Sequence, residues 1–262
     1  MDLFTLIVLS LVQGITEFLP VSSSGHLILV SHVTGWEDQG LLIDIALHLG
    51  TLGAVMAYFR ADCRSLIGAG RAMVTGSRSP DTRLLRLLTV ATLPIVLAGF
   101  MAKGLLETSA RQEHVVAVST IVFALVLYAA DRRHSCRGFD EIGYRDAMVI
   151  GAAQVLALIP GTSRSGVTMA AARFLGLSHE AAARFSMLLS IPTICAATLL
   201  ALATLASAGS QITAPAFFTA ALLAFAAGYI SIGALMHWLR QADFTPFVIY
   251  RLIFGGAILL LA

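Results

Sequence analysis

The sequence predicts an all-α polytopic membrane protein, with six transmembrane helices plus two re-entrant helical hairpins in an inverted repeat. Three observations predict it. Of 262 residues, 58% are hydrophobic and only 12% are charged, about half the charged share of a soluble domain. Six apolar stretches approach the length of a bilayer crossing. Two more are broken near their middle by proline, glycine and hydroxyl residues in matching order.

The six continuous stretches fall at about 41–59, 87–106, 114–130, 184–207, 215–238 and 245–262. Between them, the loop from 60 to 86 holds Arg60, Arg64, Arg71, Arg78, Arg83 and Arg86, and the loop from 131 to 146 holds Arg132, Arg133, Arg137 and Arg145. The positive-inside rule assigns both loops to the cytoplasm. The short loop at 107–113 and both termini then lie outside. No Lys or Arg precedes Arg60, so the first apolar segment is expected to be retained rather than cleaved as a signal peptide. Cys63, Cys136 and Cys195 are far apart in sequence and imply no disulfide framework or metal-ligand spacing.

The broken stretches, within 11–34 and 147–176, read QGITEFLPVSSSGH (13–26) and QVLALIPGTSRSG (154–166). Each runs twelve residues from its Gln to its Gly, with a Pro near its middle. Each is followed by an apolar helical stretch and three spans. The chain is expected to form one membrane domain of two halves, about 1–130 and 131–262. An odd number of crossings per half inverts one half relative to the other. Broken backbone at membrane depth needs protein or a water-filled cavity around it, and paired breaks of this kind build sites near the midplane.

The chemistry concentrates at these breaks. Glu17 is a carboxylate inside an apolar segment, which marks a functional site by default. Ser24 is expected to cap a helix beginning near His26, leaving the Gly25 and His26 amides facing an anion. Ser165 is expected to cap a helix beginning near Val167. Arg164 then sits at the second tip, where its planar fork suits phosphate. His26 on its first helical turn can reach back toward Ser23, and Glu17 can orient that imidazole or act as the base itself. His32 and His48 read as polar helix-end residues.

EFLPVSSSGH (17–26) and PGTSRSG (160–166) closely resemble the two signature motifs of the undecaprenyl-diphosphate phosphatase, or bacitracin-resistance, family. LHLGTLGAVMAYFR (47–60), RFLGLSHEAAARFSMLLSIP (173–192) and FVIYRLIFG (247–255) extend the likeness over nearly the whole chain. The resemblance implies a ten-helix fold with two re-entrant hairpins in the bacterial inner membrane, its active site open to the periplasm. It implies hydrolysis of the C55 lipid diphosphate to its monophosphate, recycling the carrier for cell-wall synthesis and conferring bacitracin resistance. Carried over by position, Ser23 is the nucleophile, Glu17 the essential carboxylate, His26 the histidine and Arg164 the phosphate-binding arginine. Gln13, Ser22, Ser24, Gly25, Thr162, Ser163, Ser165 and Gly166 are assigned to substrate binding. The implied cofactor is a divalent cation, Mg or Ca, bridging Glu17 and the diphosphate.

The expected partners are the polyprenyl diphosphate and the membrane lipids, with a homodimer as the assembly considered and no nucleic acid. A polyprenyl-phosphate flippase or anion transporter on the same inverted-repeat fold is the rival reading. The hydroxyl, imidazole and carboxylate beside the arginine favour the enzyme.

Overall fold

The computed structural model describes residues 2–36, 39–75, 81–101, 113–134, 136–208 and 214–261. Among these it holds eleven α-helices, and its only β feature is an isolated Arg137–Leu177 bridge. Five helices are long and apolar enough to cross a membrane: α3 (Gly40–Tyr58), α5 (Asp81–Met101), α6 (Glu113–Asp131), α9 (His179–Ala208) and α10 (Ala214–Trp238). The last helix, α11 (Thr245–Leu261), has 17 residues. At 1.5 Å per residue it is about 25 Å long, somewhat less than a hydrocarbon core of about 30 Å. All three cysteines are free thiols.

The stretch at 60–86 is not the loop expected from its arginines. Helix α4 (Arg60–Val74) follows α3 across the single residue Phe59, and α5 starts at Asp81 rather than near 87. Ala, Arg, Leu and Met all favour helix, and Arg60, Arg64 and Arg71 stand exposed on it. Arg78 and most of the 107–113 loop lie outside the described residues. The stretch at 131–146 is tied down: Arg137 pairs with Asp146 at 2.6 Å and donates to the carbonyl of Leu175.

Both broken segments are resolved into helix, break and helix. Helix α1 (Leu3–Thr16) ends at Glu17, and α2 (Ser23–Thr34) begins after a turn through Pro20. Helix α7 (Tyr144–Gln154) runs into a 3₁₀ turn at Val155–Leu158, and α8 (Arg164–Phe174) begins beyond Pro160. Proline donates no backbone hydrogen bond and halts each helix. In the second break the Thr162 amide bonds the Ile159 carbonyl at 3.2 Å across Pro160-Gly161. Gly161 has φ +88, the third-position conformation of a type II turn that glycine supplies without strain.

Small residues let the helices approach closely. A Cβ added at Gly14 on α1 would meet Ala227 of α10 at 2.6 Å, and one at Gly151 on α7 would strike the backbone of Ala91 on α5. Helix α1 packs on α10 while α7 packs on α5, and α3 meets α9 as α6 meets α11. The main core lies between these layers, around Phe18, Leu127, Ile150, Met169 and Phe185.

Candidate active site

Among the described residues, the only non-glycine positions with positive φ are Ser22 (φ 76) and Ser163 (φ 70). Each is the residue before its helix. The Ser22 hydroxyl accepts from the Gly25 amide at 3.4 Å, and the Ser163 hydroxyl accepts from the Gly166 amide at 3.1 Å. The caps therefore sit two residues earlier than Ser24 and Ser165, which lie inside their helices. A β-carbon at such φ costs about 1–3 kcal/mol, and conformations of this kind cluster at active sites. The shift also changes which amides are left over. Gly25 and His26 are bonded back to Ser22, so the unpaired first-turn amides belong to Ser23 and Ser24, and likewise to Arg164 and Ser165.

This geometry starts α2 on Ser23 and α8 on Arg164, two equivalent positions. Between them lies the Glu17 carboxylate. Its Oε2 accepts from Ser23 Oγ at 2.8 Å and from Gln13 Nε2 at 3.0 Å, and its Oε1 accepts from Arg164 Nη2 at 2.9 Å. The Glu17 and Arg164 side chains are 9% and 13% exposed, enough to reach a ligand yet largely shielded from water. Ser165 Oγ donates to the carbonyl of Leu19 at 2.8 Å, fastening the second tip to the first.

Two cavities meet at this cluster. One, of about 330 Å³, is lined by Gln13, Ser23, Ser24, Asp44 and His48 among others. The second, of about 270 Å³, is lined by Glu17, Ser22, Ser23, Ser163 and Arg164 at its polar end. Its other wall is apolar, from Ile95, Ala157, Leu158, Ile194 and Ala197. A phosphate at the polar end would leave an attached hydrocarbon chain against that wall.

The remaining expected site residues stand back from these cavities. His26 does not reach Ser23. Its Nδ1 lies 2.7 Å from the Ser22 carbonyl and must carry the proton there, while Nε2 lies 2.6 Å from the Tyr250 hydroxyl. The ring stacks on Phe254 with centroids 4.1 Å apart. Gly25 packs toward Val116 and Phe254, and Gly166 faces Arg251. Thr162 is fully buried, with a hydroxyl that finds no partner among the described residues.

A model of the family described as bacitracin resistance protein BacA matches residues 6–257. The chain belongs to this family. A curated relative, an undecaprenyl-diphosphatase of Hahella chejuensis (strain KCTC 2396), is 46% identical over 255 residues, covering 97% of this chain and 96% of the relative. Family and helices together make the chain a multi-pass membrane protein.

In this BacA-family chain two residues at the site escaped the sequence reading. Arg251 of α11 is fully buried and among the described residues bonds only to backbone. It donates to the carbonyls of Pro20, Gly161, Thr162 and Thr120 at 3.0–3.3 Å. One guanidinium thus holds both breaks and α6 together, and each buried carbonyl left without its donor would cost about 1–3 kcal/mol. An arginine in the otherwise uncharged run 245–262 was the available signal. His48, expected at a helix end, lies inside α3 and lines both cavities.

Proposed function

We propose that this chain hydrolyses undecaprenyl diphosphate to undecaprenyl phosphate and inorganic phosphate, returning the carrier lipid to cell-wall synthesis and conferring bacitracin resistance. The observation that carries the proposal is Ser23 hydrogen-bonded to Glu17, with Arg164 on the same carboxylate. Ser23 Oγ attacks the terminal phosphorus, and its proton passes to Glu17 Oε2. The bond from that phosphorus to the bridging oxygen breaks, and the lipid monophosphate leaves. A serine hydroxyl needs such a base, and of the two candidates, His26 and Glu17, it is Glu17 that bonds Ser23. Arg164 uses two of its five N–H donors on Glu17 and the Ser186 carbonyl, which leaves others for phosphate oxygens. With the leftover first-turn amides they stabilise the charge of the transition state.

We propose a divalent cation, Mg or Ca, at the same site. Gln13 is fully buried, and among the described residues its Oε1 has no partner although it sits beside Glu17. Hard oxygens of this kind suit both ions. Among the described residues no cluster of three or more His, Cys, Asp or Glu side chains forms a cage; Gln13 and Glu17 are the residues that would hold an ion. When bound it would neutralise phosphate charge.

Six crossings, with the two broken segments as re-entrant hairpins in inverted halves, fit the packing described above. The pairings α1 with α10 and α7 with α5 are the exchange that a two-fold relation between halves requires, and α3–α9 and α6–α11 pair each span with its own counterpart. The arginine-bearing ends at α4 and 131–146 then face the cytoplasm of the inner membrane, and the site opens to the periplasm. In a variant otherwise free of cysteine, Thr75→Cys is expected to resist a membrane-impermeant thiol reagent applied to intact cells. External labelling would overturn this orientation.

The deciding experiment is phosphate release from C55 diphosphate by the purified protein in detergent. Turnover is expected, with a large fall under chelator and recovery on adding Mg or Ca. A flippase or anion transporter would release none.

A further inference from the structure

The geometry points to His48 as a further catalytic residue, the base that activates the water which frees phosphate from Ser23. This rests on the covalent route proposed above. His48 Nδ1 lies 2.7 Å from the Asp44 backbone carbonyl, so that nitrogen carries the proton and Nε2 holds the lone pair of the neutral ring. Among the described residues Nε2 has no hydrogen-bond partner. Beside Ser23 and Ser24, His48 is the one other residue that lines both cavities. His26, the imidazole nearer in sequence, has both nitrogens engaged.

The second half of the reaction needs such a group. Phosphoryl transfer runs roughly in line, so the lipid monophosphate departs on the face of phosphorus opposite Ser23, and water enters on that face. Glu17 is bonded on the Ser23 side and already holds the proton taken from that hydroxyl. In the second step a water proton passes to His48 Nε2, and the water oxygen bonds to phosphorus. The bond from phosphorus to Ser23 Oγ breaks, and that oxygen recovers its proton from Glu17. Inorganic phosphate leaves, and His48 releases its proton to solvent in the cavity. Asp44 stands on the same wall as His48, its own carboxylate accepting from Gln39 at 2.7 Å, and it holds the ring through its backbone.

The test uses purified full-length His48→Ala and His48→Gln with C55 diphosphate. Both are expected to release about one equivalent of lipid monophosphate per enzyme, then turn over about a hundredfold more slowly. Intact-mass measurement should find phosphate accumulated on Ser23 in both. Added imidazole should restore turnover to His48→Ala, where it can occupy the vacated space, and not to His48→Gln. Near-wild-type turnover of either variant overturns the assignment. So does slow turnover without trapped phosphate, in a case where rapid quenching of the unaltered enzyme does reveal phospho-Ser23. If no phosphate is ever found on Ser23 in any form, the covalent route itself has failed, and this proposal with it.

Discussion

Ser23→Ala is expected to lose at least about a thousandfold in phosphate release while keeping its fold, because it removes the attacking oxygen itself. Ser23 Oγ donates to Glu17 Oε2 at 2.8 Å and makes no other side-chain hydrogen bond among the described residues. Its neighbours provide the internal comparison. Ser22 caps α2, so Ser22→Ala should cost about 1 kcal/mol of stability and less activity. Ser24 is exposed at the cavity, and its loss should weaken binding before it slows chemistry. Glu17→Gln should fall with Ser23→Ala, since an amide cannot take the serine proton. Direct attack by water, with Ser23 only donating a hydrogen bond, would instead leave measurable turnover in Ser23→Ala. Substantial residual activity would therefore remove Ser23 as nucleophile and leave the hydrolase reading standing.

Periodicity and length made the helices legible, since an apolar run of about twenty residues admits few structures in a bilayer. They could not separate α4 from a loop, because an arginine-bearing surface helix and a basic loop share composition. The two breaks were legible from Pro20 and Pro160 with their serines, and so were Glu17, Ser23 and Arg164 as a group. What one-dimensional spacing could not supply was direction. His26 is three residues from Ser23, yet an N-cap at Ser22 turns its ring toward Tyr250 and Phe254. Serine at φ 76 or φ 70 is a conformation that no serine-rich motif announces, and it moved both caps by two residues. Arg251 and His48 act across α11 and α3, far from the motifs in sequence, and only packing brings them to the breaks.

Arg164→Lys is the second large effect: phosphate release is expected to fall about a hundredfold. A guanidinium offers a planar fork, while an ammonium is a compact point charge that cannot span two phosphate oxygens. Losing one or two charge-assisted hydrogen bonds of about 1.5–3 kcal/mol each gives a fall of that order at about 1.4 kcal/mol per decade. The competing account makes Arg164 only a structural partner of Glu17, whose carboxylate it meets at 2.9 Å. The two accounts separate by stability. Arg164→Ala leaves Glu17 shielded from water with no cation, a loss of about 3–5 kcal/mol for a buried pair, so its low activity would prove nothing alone. Lysine keeps the cation for Glu17 and should hold the thermal midpoint in detergent close to that of the unaltered protein. Activity should nonetheless drop, with KM for the diphosphate rising because ground-state grip is lost together with transition-state stabilisation. If Arg164→Lys turns over like the unaltered enzyme with the same KM, the fork is not what holds phosphate, and Arg164 supplies only positive potential to Glu17 and its ligand.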